Sequence, residues 1–318
     1  MRRLIHELMA PAFEMESLSD SAVVDLIPSG RTALTTDSYV VSPLFFPGGD
    51  IGKLAVCGTV NDLSMAGARP LYLTAGFIIE EGLLMSDLEK IVSSMAETAR
   101  QTGIKIVAGD TKVVERGKCD GLFINTAGVG VIENDLELSA KKIRPGDSVI
   151  VSGPLGTHGI AVMAERNGLT FDPPIQSDTA PLNGLVSKML GACSGIRVMR
   201  DPTRGGLATA LVEISGESSY RIILKEDSLP ILPGVRGACE LLGLDPLHVA
   251  NEGVLVSIVD AAKSDNLLSV MRKHPLATNA RSIGNVSEET DGRVLLETIA
   301  GGTRILDMLT GQQLPRIC

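Results

Sequence analysis

The sequence has no tryptophan, only three tyrosines and six phenylalanines, and no long apolar run. It also lacks an excess of basic residues: 29 Lys and Arg against 38 Asp and Glu leave a net charge of -9. A chain that grips nucleic acid by its phosphates needs a basic face, often interleaved with stacking aromatics, so nucleic acid is excluded as a partner. Nothing approaches the roughly 20 apolar residues that cross a bilayer. The start, MRRLIHELMAPAFEME, has neither the apolar core nor the small-residue cleavage site of a signal peptide. Cys57, Cys119, Cys193, Cys239 and Cys318 are far apart, with no CxxC pair. The first four lie in apolar or small-residue surroundings that suit reduced, buried thiols. Four scattered histidines without paired spacing argue against zinc, and no G-x-S-x-G elbow marks a hydrolase. The expectation is a cytoplasmic protein with no membrane partner.

What is present is enough core for two domains of ordinary size: 318 residues, 44% hydrophobic and 21% charged. Strand and helix patterns alternate. RTALTTDSYVV reads as a strand, DIGKLAVCGTVNDLSMAGA as a helix, PLYLTAGFIIEEG as a strand and SDLEKIVSSMAETARQTG as an amphipathic helix. IKIVAGDTKVV and GLFINTAGVGVI are strands again. A turn in RPGDSVIVSGPLG places a boundary near residues 143 to 147. Beyond it come helices THGIAVMAERNG, GGLATALVEISGE, VRGACELLG and SDNLLSVMRKH, strands YRIILK and GVLVSIV, and a β-like end. The pattern predicts an α+β protein with two α/β domains, 1–145 and 146–310, and a flexible tail, 311–318.

Three aspartates stand out. Asp37 follows ALTT and Asp110 follows IKIVAG, while Asp62 falls on the apolar stripe of Ile51, Leu54, Ala55, Gly58 and Met65. A carboxylate there is costly to bury unless it is paired or meets a cation. Three carboxylates beside Thr, Asn or Gly suit either a Mg²⁺ site for a phosphate substrate or separate caps and ion pairs. PGGDIGKL is one residue short of a Walker loop, and GVGVIE lacks the third glycine of a dinucleotide fingerprint. RDPTRGGLA sets Arg200, Asp201 and Arg204 ahead of a helix, a geometry suited to an anion. AGDTKVVE clusters Asp110, Thr111 and Lys112, GPLGTHG surrounds His158, and ANEGVL sets Glu252 before an apolar strand. Each alone reads equally as a turn. The chain ends LPRIC, on Cys318.

Taken together, TTDSYVVSPLFFPGGDIGKLAVCGTVNDLSMAGARP, GFIIEEG, GDTKVV, FINTAGVG, DPTRGG, ANEG and the terminal PRIC resemble the HypE family of hydrogenase-maturation carbamoyl dehydratases, in the ATP-binding superfamily of aminoimidazole ribonucleotide synthetase. The resemblance covers nearly the whole chain. It implies that Cys318 receives a carbamoyl group, and that ATP-dependent dehydration turns this S-carboxamide into an S-cyanate, the cyanide source for [NiFe] hydrogenase. It further implies Mg²⁺ and ATP held by Asp37, Asp62 and Asp110 with Asn61 and Thr111 beside them. Glu252 and Lys112 match the family's dehydration pair, Glu252 as base and Lys112 as charge stabiliser. Arg204 and His158 are expected to contact phosphate. The implied partners are a second copy in a homodimer, the carbamoyltransferase HypF, and the HypC-HypD iron scaffold. The family's glycine-rich HGSGG segment has no counterpart in MRRLIHEL. Two other activities compete: a small-molecule kinase or synthetase of the same superfamily, and a non-catalytic thiol carrier.

Overall fold

The structure, a computed structural model, describes residues 4–15, 21–25, 29–133, 135–308 and 316–318. The first sheet is built from β1 (Arg31–Tyr39), β4 (Arg69–Glu80), β5 (Lys105–Val114) and β6 (Leu122–Ile132), in the order β1-β6-β4-β5. Between β1 and β4 come a short hairpin, β2 (Phe45–Phe46) with β3 (Gly49–Asp50), and helix α1 (Ile51–Met65). Helix α2 (Met85–Thr102) links β4 to β5, which pair in parallel, as a helical crossover requires. Asp50 caps α1, its carboxylate accepting from Gly52 N at 2.7 Å and Lys53 N at 3.1 Å. PGGDIGKL is therefore a capped helix start, not a phosphate loop.

Helices α1 and α2 cover one face of this sheet, and Leu73, Ala75, Phe77, Ile79, Ile124 and Tyr39 point into that core. Glycine is required at position 58, because a Cβ there would lie 2.2 Å from the Tyr39 hydroxyl oxygen. Tyr39 is thereby pressed onto α1, closing the sheet-helix gap beside Thr59. Among the described residues, the opposite face carries no helix. Leu34 is 76% exposed there and Ile78 42%.

The second sheet takes β7 (Ser148–Val151), β8 (Ile196–Arg200), β9 (Ile222–Lys225), β10 (Val256–Val259), β11 (Arg281–Val286), β12 (Val294–Glu297) and β13 (Thr303–Leu306), in the order β13-β12-β9-β11-β7-β10-β8. Its central strands SVIV and VSIV are apolar on both faces because both are covered. Val149 and Val151 face a core containing Leu207, Leu211 and Ile214 of α5 (Gly206–Ser218). Ile150 faces the opposite core with α4 (Asn183–Ala192) and α7 (Ser264–Met271). Helices α3 (Thr157–Asn167) and α6 (Pro233–Leu242) pack on each other through Ile160 and Val235. The α/β alternation expected from sequence is present. Helix α4 and strand β8 have no counterpart in the sequence reading, where glycines 184, 191 and 195 break their periodicity. Cys119, expected buried, is half exposed. Residues 311–315 of the expected tail lie outside the described residues.

Candidate active site

The site forms where the end of β1, helix α1 and two loops of the second domain meet. One loop, Asn251-Glu252-Gly253, is fixed from beneath by Asp178. Asp178 Oδ2 accepts from Glu252 N at 3.0 Å, Gly253 N at 2.8 Å and Asn251 Nδ2 at 3.2 Å, while Oδ1 accepts from Thr157 Oγ1 at 2.9 Å. Only glycine fits at position 253, since a Cβ would lie 1.8 Å from the Asp178 carbonyl oxygen. The other loop carries Asp201 and Arg204 between β8 and α5, and is tied to the first by Asn251 N donating to Pro202 O at 2.9 Å.

This scaffolding aims a carboxyl group into a dry place. Glu252 is 2% exposed, and its Oε1 has no hydrogen-bond partner among the described residues. Burial raises its pKa well above the usual range, and the charges of Asp201, Asp178, Asp37 and Asp62 raise it further. A carboxylate so destabilised is a strong proton acceptor once ionised. Asp62 is also raised, by burial first, although Thr35 Oγ1 donates to its Oδ2 at 2.8 Å. Asp201 is pushed up to about 7 by burial and then by Asp62. Mutual repulsion of this kind fits a pocket that receives a cation. Among the described residues, however, no three His, Cys, Asp or Glu side chains converge closely enough to hold a metal ion.

The reason lies in the position of Asp110. Asp37 of β1 is level with Thr126, Ala75 and Gly109, so Asp110 lies one residue further along, three strands away at the other edge. At ordinary strand spacing that is about 14 Å. The two also point to opposite faces. Thr35 and Tyr39 reach α1, so Asp37 between them shares that side, whereas Asp110 is in the row of Ser38, Asn125 and Gly76 on the bare face. The expected three-aspartate cluster is thus not assembled by one chain. Asp110 sits inside β5, within the strand expected for IKIVAGDTKVV. Lys112 shares its face and lies 3.9 Å from Asp110, so it is not beside Glu252. Thr111 points the other way and is buried.

Asn61, expected at the nucleotide, is buried and engaged with backbone. Its Nδ2 donates to Ala180 O at 3.1 Å and Glu252 O at 3.2 Å, and its Oδ1 accepts from Leu182 N at 2.7 Å. It joins the domains rather than facing a ligand. His158, expected at phosphate, lies under the tail. Its Nε2 donates to Ile317 O at 2.9 Å, so Nδ1 carries no proton and accepts from Ser177 Oγ at 2.8 Å. Burial lowers its pKa, in keeping with this neutral form.

The last three residues enter the site. Val40 N donates to Cys318 O and Ser42 N to Arg316 O, each at 3.2 Å, so the tail lies along the chain just after β1. Ile317 is 4% exposed and joins the core of the first domain. Full burial of such a side chain contributes about 1.5–3 kcal/mol. The Cys318 thiol is pushed up to about 12, by burial first and by the Glu252 charge second; Arg204 opposes this with its charge and a hydrogen bond. The charge of Arg204 therefore reaches the sulfur. Two residues of this arrangement carried no sequence signal that singled them out: Asp178, an ordinary aspartate in a loop, and Asp201, visible only as part of RDPTRGG.

Two α/β domains of this build, with carboxylates and a docked terminal thiol between them, define an aminoimidazole ribonucleotide synthetase-like protein. The AIR synthase related protein family matches accordingly, its N-terminal domain over residues 18–132 and its C-terminal domain over 144–297. Carbamoyl dehydratase HypE of Cupriavidus necator is 54% identical over 319 residues, covering 99% of this chain and 91% of that protein. Hydrogenase maturation protein HypE solved in complex with ATP superposes with a TM-score of 0.95 at 48% identity, covering 100% and 96% of the two chains. A chain of a HypE-HypF complex matches with a TM-score of 0.84 at 50% identity, covering 96% and 99%. The chain belongs to the HypE carbamoyl dehydratase family.

Proposed function

We propose that the protein dehydrates an S-carboxamide carried on its own Cys318 to an S-cyanate, at the expense of ATP, for the cyanide ligands of [NiFe] hydrogenase. The observation that carries this reading is the docked tail, its backbone held by Val40 N and His158 Nε2 beside the unpartnered Oε1 of Glu252. The amide nitrogen must lose both hydrogens and the carbon its oxygen. Bound Mg-ATP supplies the phosphoryl group that lets the amide oxygen leave as phosphate. Glu252 accepts one proton from nitrogen, its dry setting making it a better base than in water, and the second proton leaves with the departing phosphate. Arg204 offsets negative charge at the reacting carbon. His158 and Val40 hold the tail backbone, and burial of Ile317 excludes water from its path. Asp37 and Asp62 would hold Mg²⁺, a hard cation that takes oxygen ligands and would offset the charge of the phosphates.

The bare face of the first sheet supports a homodimer, which would also bring Asp110 and Lys112 of one copy to the interface. A relative's complex with HypF supports that transferase as carbamoyl donor, and the HypC-HypD scaffold is the proposed acceptor. No helix among the described residues is long and apolar enough to cross a membrane, and the free cysteines suit the cytoplasm. The test is intact mass spectrometry of the carbamoylated protein after addition of Mg-ATP. Loss of one water from the modified protein is expected; an unchanged mass with ATP still consumed would refute the reading.

A further inference from the structure

The docked tail is held by its backbone at Val40, Ser42 and His158, contacts that any sequence could make. Besides the packing of Ile317 in the core of the first domain, one charged side-chain contact adds specificity. Arg316 Nη1 lies 2.6 Å from Asp120 Oδ2, an atom that is buried and has no hydrogen-bond partner elsewhere among the described residues. Asp120 sits in the loop before β6, far from the carboxylates of the active site in sequence and on a different element. Arg166 of α3 completes the group. Its Nη2 donates to Arg316 O at 2.6 Å and its Nε to Ser42 O at 2.8 Å. Arg316 itself has φ +57°, in the left-handed region that a non-glycine residue rarely adopts. The tail therefore turns sharply at residue 316, and something must hold that turn.

We infer that Asp120 is a positioning residue for the dehydration, acting as a latch that selects the docked tail by pairing with Arg316. Without the pair, the Asp120 carboxylate loses its cation and Arg316 loses the side-chain contact that accompanies its left-handed backbone. The latch grips the residue two before the thiol, so it fixes the depth at which Cys318 stops beside Arg204. It touches neither nucleotide nor reacting atoms. The inference that it speeds dehydration rests on the proposed function; the inference that it docks the tail does not.

Two measurements on the full-length protein separate these. In the first, the uncarbamoylated protein is treated with a bulky maleimide and the alkylation rate of Cys318 is read by peptide mapping. Asp120→Asn and Arg316→Gln should each raise that rate about twofold to fivefold, the upper part of the range for a partly exposed ion pair. The double variant should be no faster than either single, because the two residues act as one contact. Cys57 serves as the internal control, and its protection should not change, which a general loosening of the fold would violate. Rates equal to wild type in both singles, or single effects that multiply in the double, would overturn the latch. In the second, single-turnover loss of water from carbamoylated protein is followed with Mg-ATP. The same variants should slow it by a similar factor, again without further loss in the double. If wild type loses no water, the proposed function fails while the alkylation result still stands or falls alone. If wild type loses water and both singles match it, the positioning role is refuted.

Discussion

Replacing Asp178 by alanine tests how much the site depends on its foundation. The carboxylate receives two backbone N–H groups, from Glu252 and Gly253, besides the Asn251 amide and the Thr157 hydroxyl. Alanine leaves all four donors without their acceptor, and the space vacated borders residues that are themselves buried. The amide and hydroxyl can rotate toward other partners; the two backbone groups cannot. A buried donor left unsatisfied costs about 1–3 kcal/mol, so the two together predict a loss of about 2–6 kcal/mol. Asp178→Asn keeps one acceptor and the volume, and should fall between wild type and alanine. Urea unfolding followed by circular dichroism, at one pH and salt concentration, measures all three. A loss below about 1 kcal/mol for the alanine variant would show that this loop does not need its acceptor, and the account of Glu252's placement would fail.

Three further outcomes follow. Asp62→Asn should abolish ATP turnover while leaving the melting temperature no lower than wild type, since it relieves repulsion with Asp37 and keeps the side-chain volume; turnover at the wild-type rate would remove Asp62 from the metal site. Glu252→Gln should accept the carbamoyl group yet yield little S-cyanate, and should change the pH dependence of stability. Because the folded state raises this pKa, its contribution is fully present below the unfolded glutamate value of about 4.3 and is lost as pH rises through the folded value. The melting-temperature advantage of the Gln variant should therefore widen with increasing pH, and a constant gap would refute the burial argument. Residues added after Cys318 should block S-cyanate formation, because the docked Cys318 lies in a buried setting beside Glu252 where an added chain would have to be housed; equal yields from C-terminally and N-terminally tagged protein would refute this.

Much of the fold was legible because period and composition report which face of an element is apolar. Asp62 on the stripe of α1 and Glu252 before β10 were found in that way. Lateral order is a different quantity. Nothing in the spacing of Asp37 and Asp110 tells that β6 and β4 lie between their strands, since the sheet order departs from chain order. The resemblance grouped three aspartates that one chain keeps at opposite edges. Asn61, which the resemblance sets beside the nucleotide aspartates, points across to the backbone of the second domain, a contact that chain spacing does not show. Asp178 could not be read at all, because its partners are backbone groups more than 70 positions away.

The three hydrogen bonds of Asn61 set the mechanical character of the molecule. They rivet α1 of one domain to Ala180, Leu182 and Glu252 of the other, at the depth where a hinge would have to open. Parting the halves like jaws to admit a bulky guest would break all three, at a cost of about 0.5–1.5 kcal/mol each. The cleft is a socket with fixed walls, and what travels is the plug: a slender terminus of three residues that slides in along β1. A free carboxamide would meet the same walls without a backbone for Val40, Ser42 and His158 to grasp.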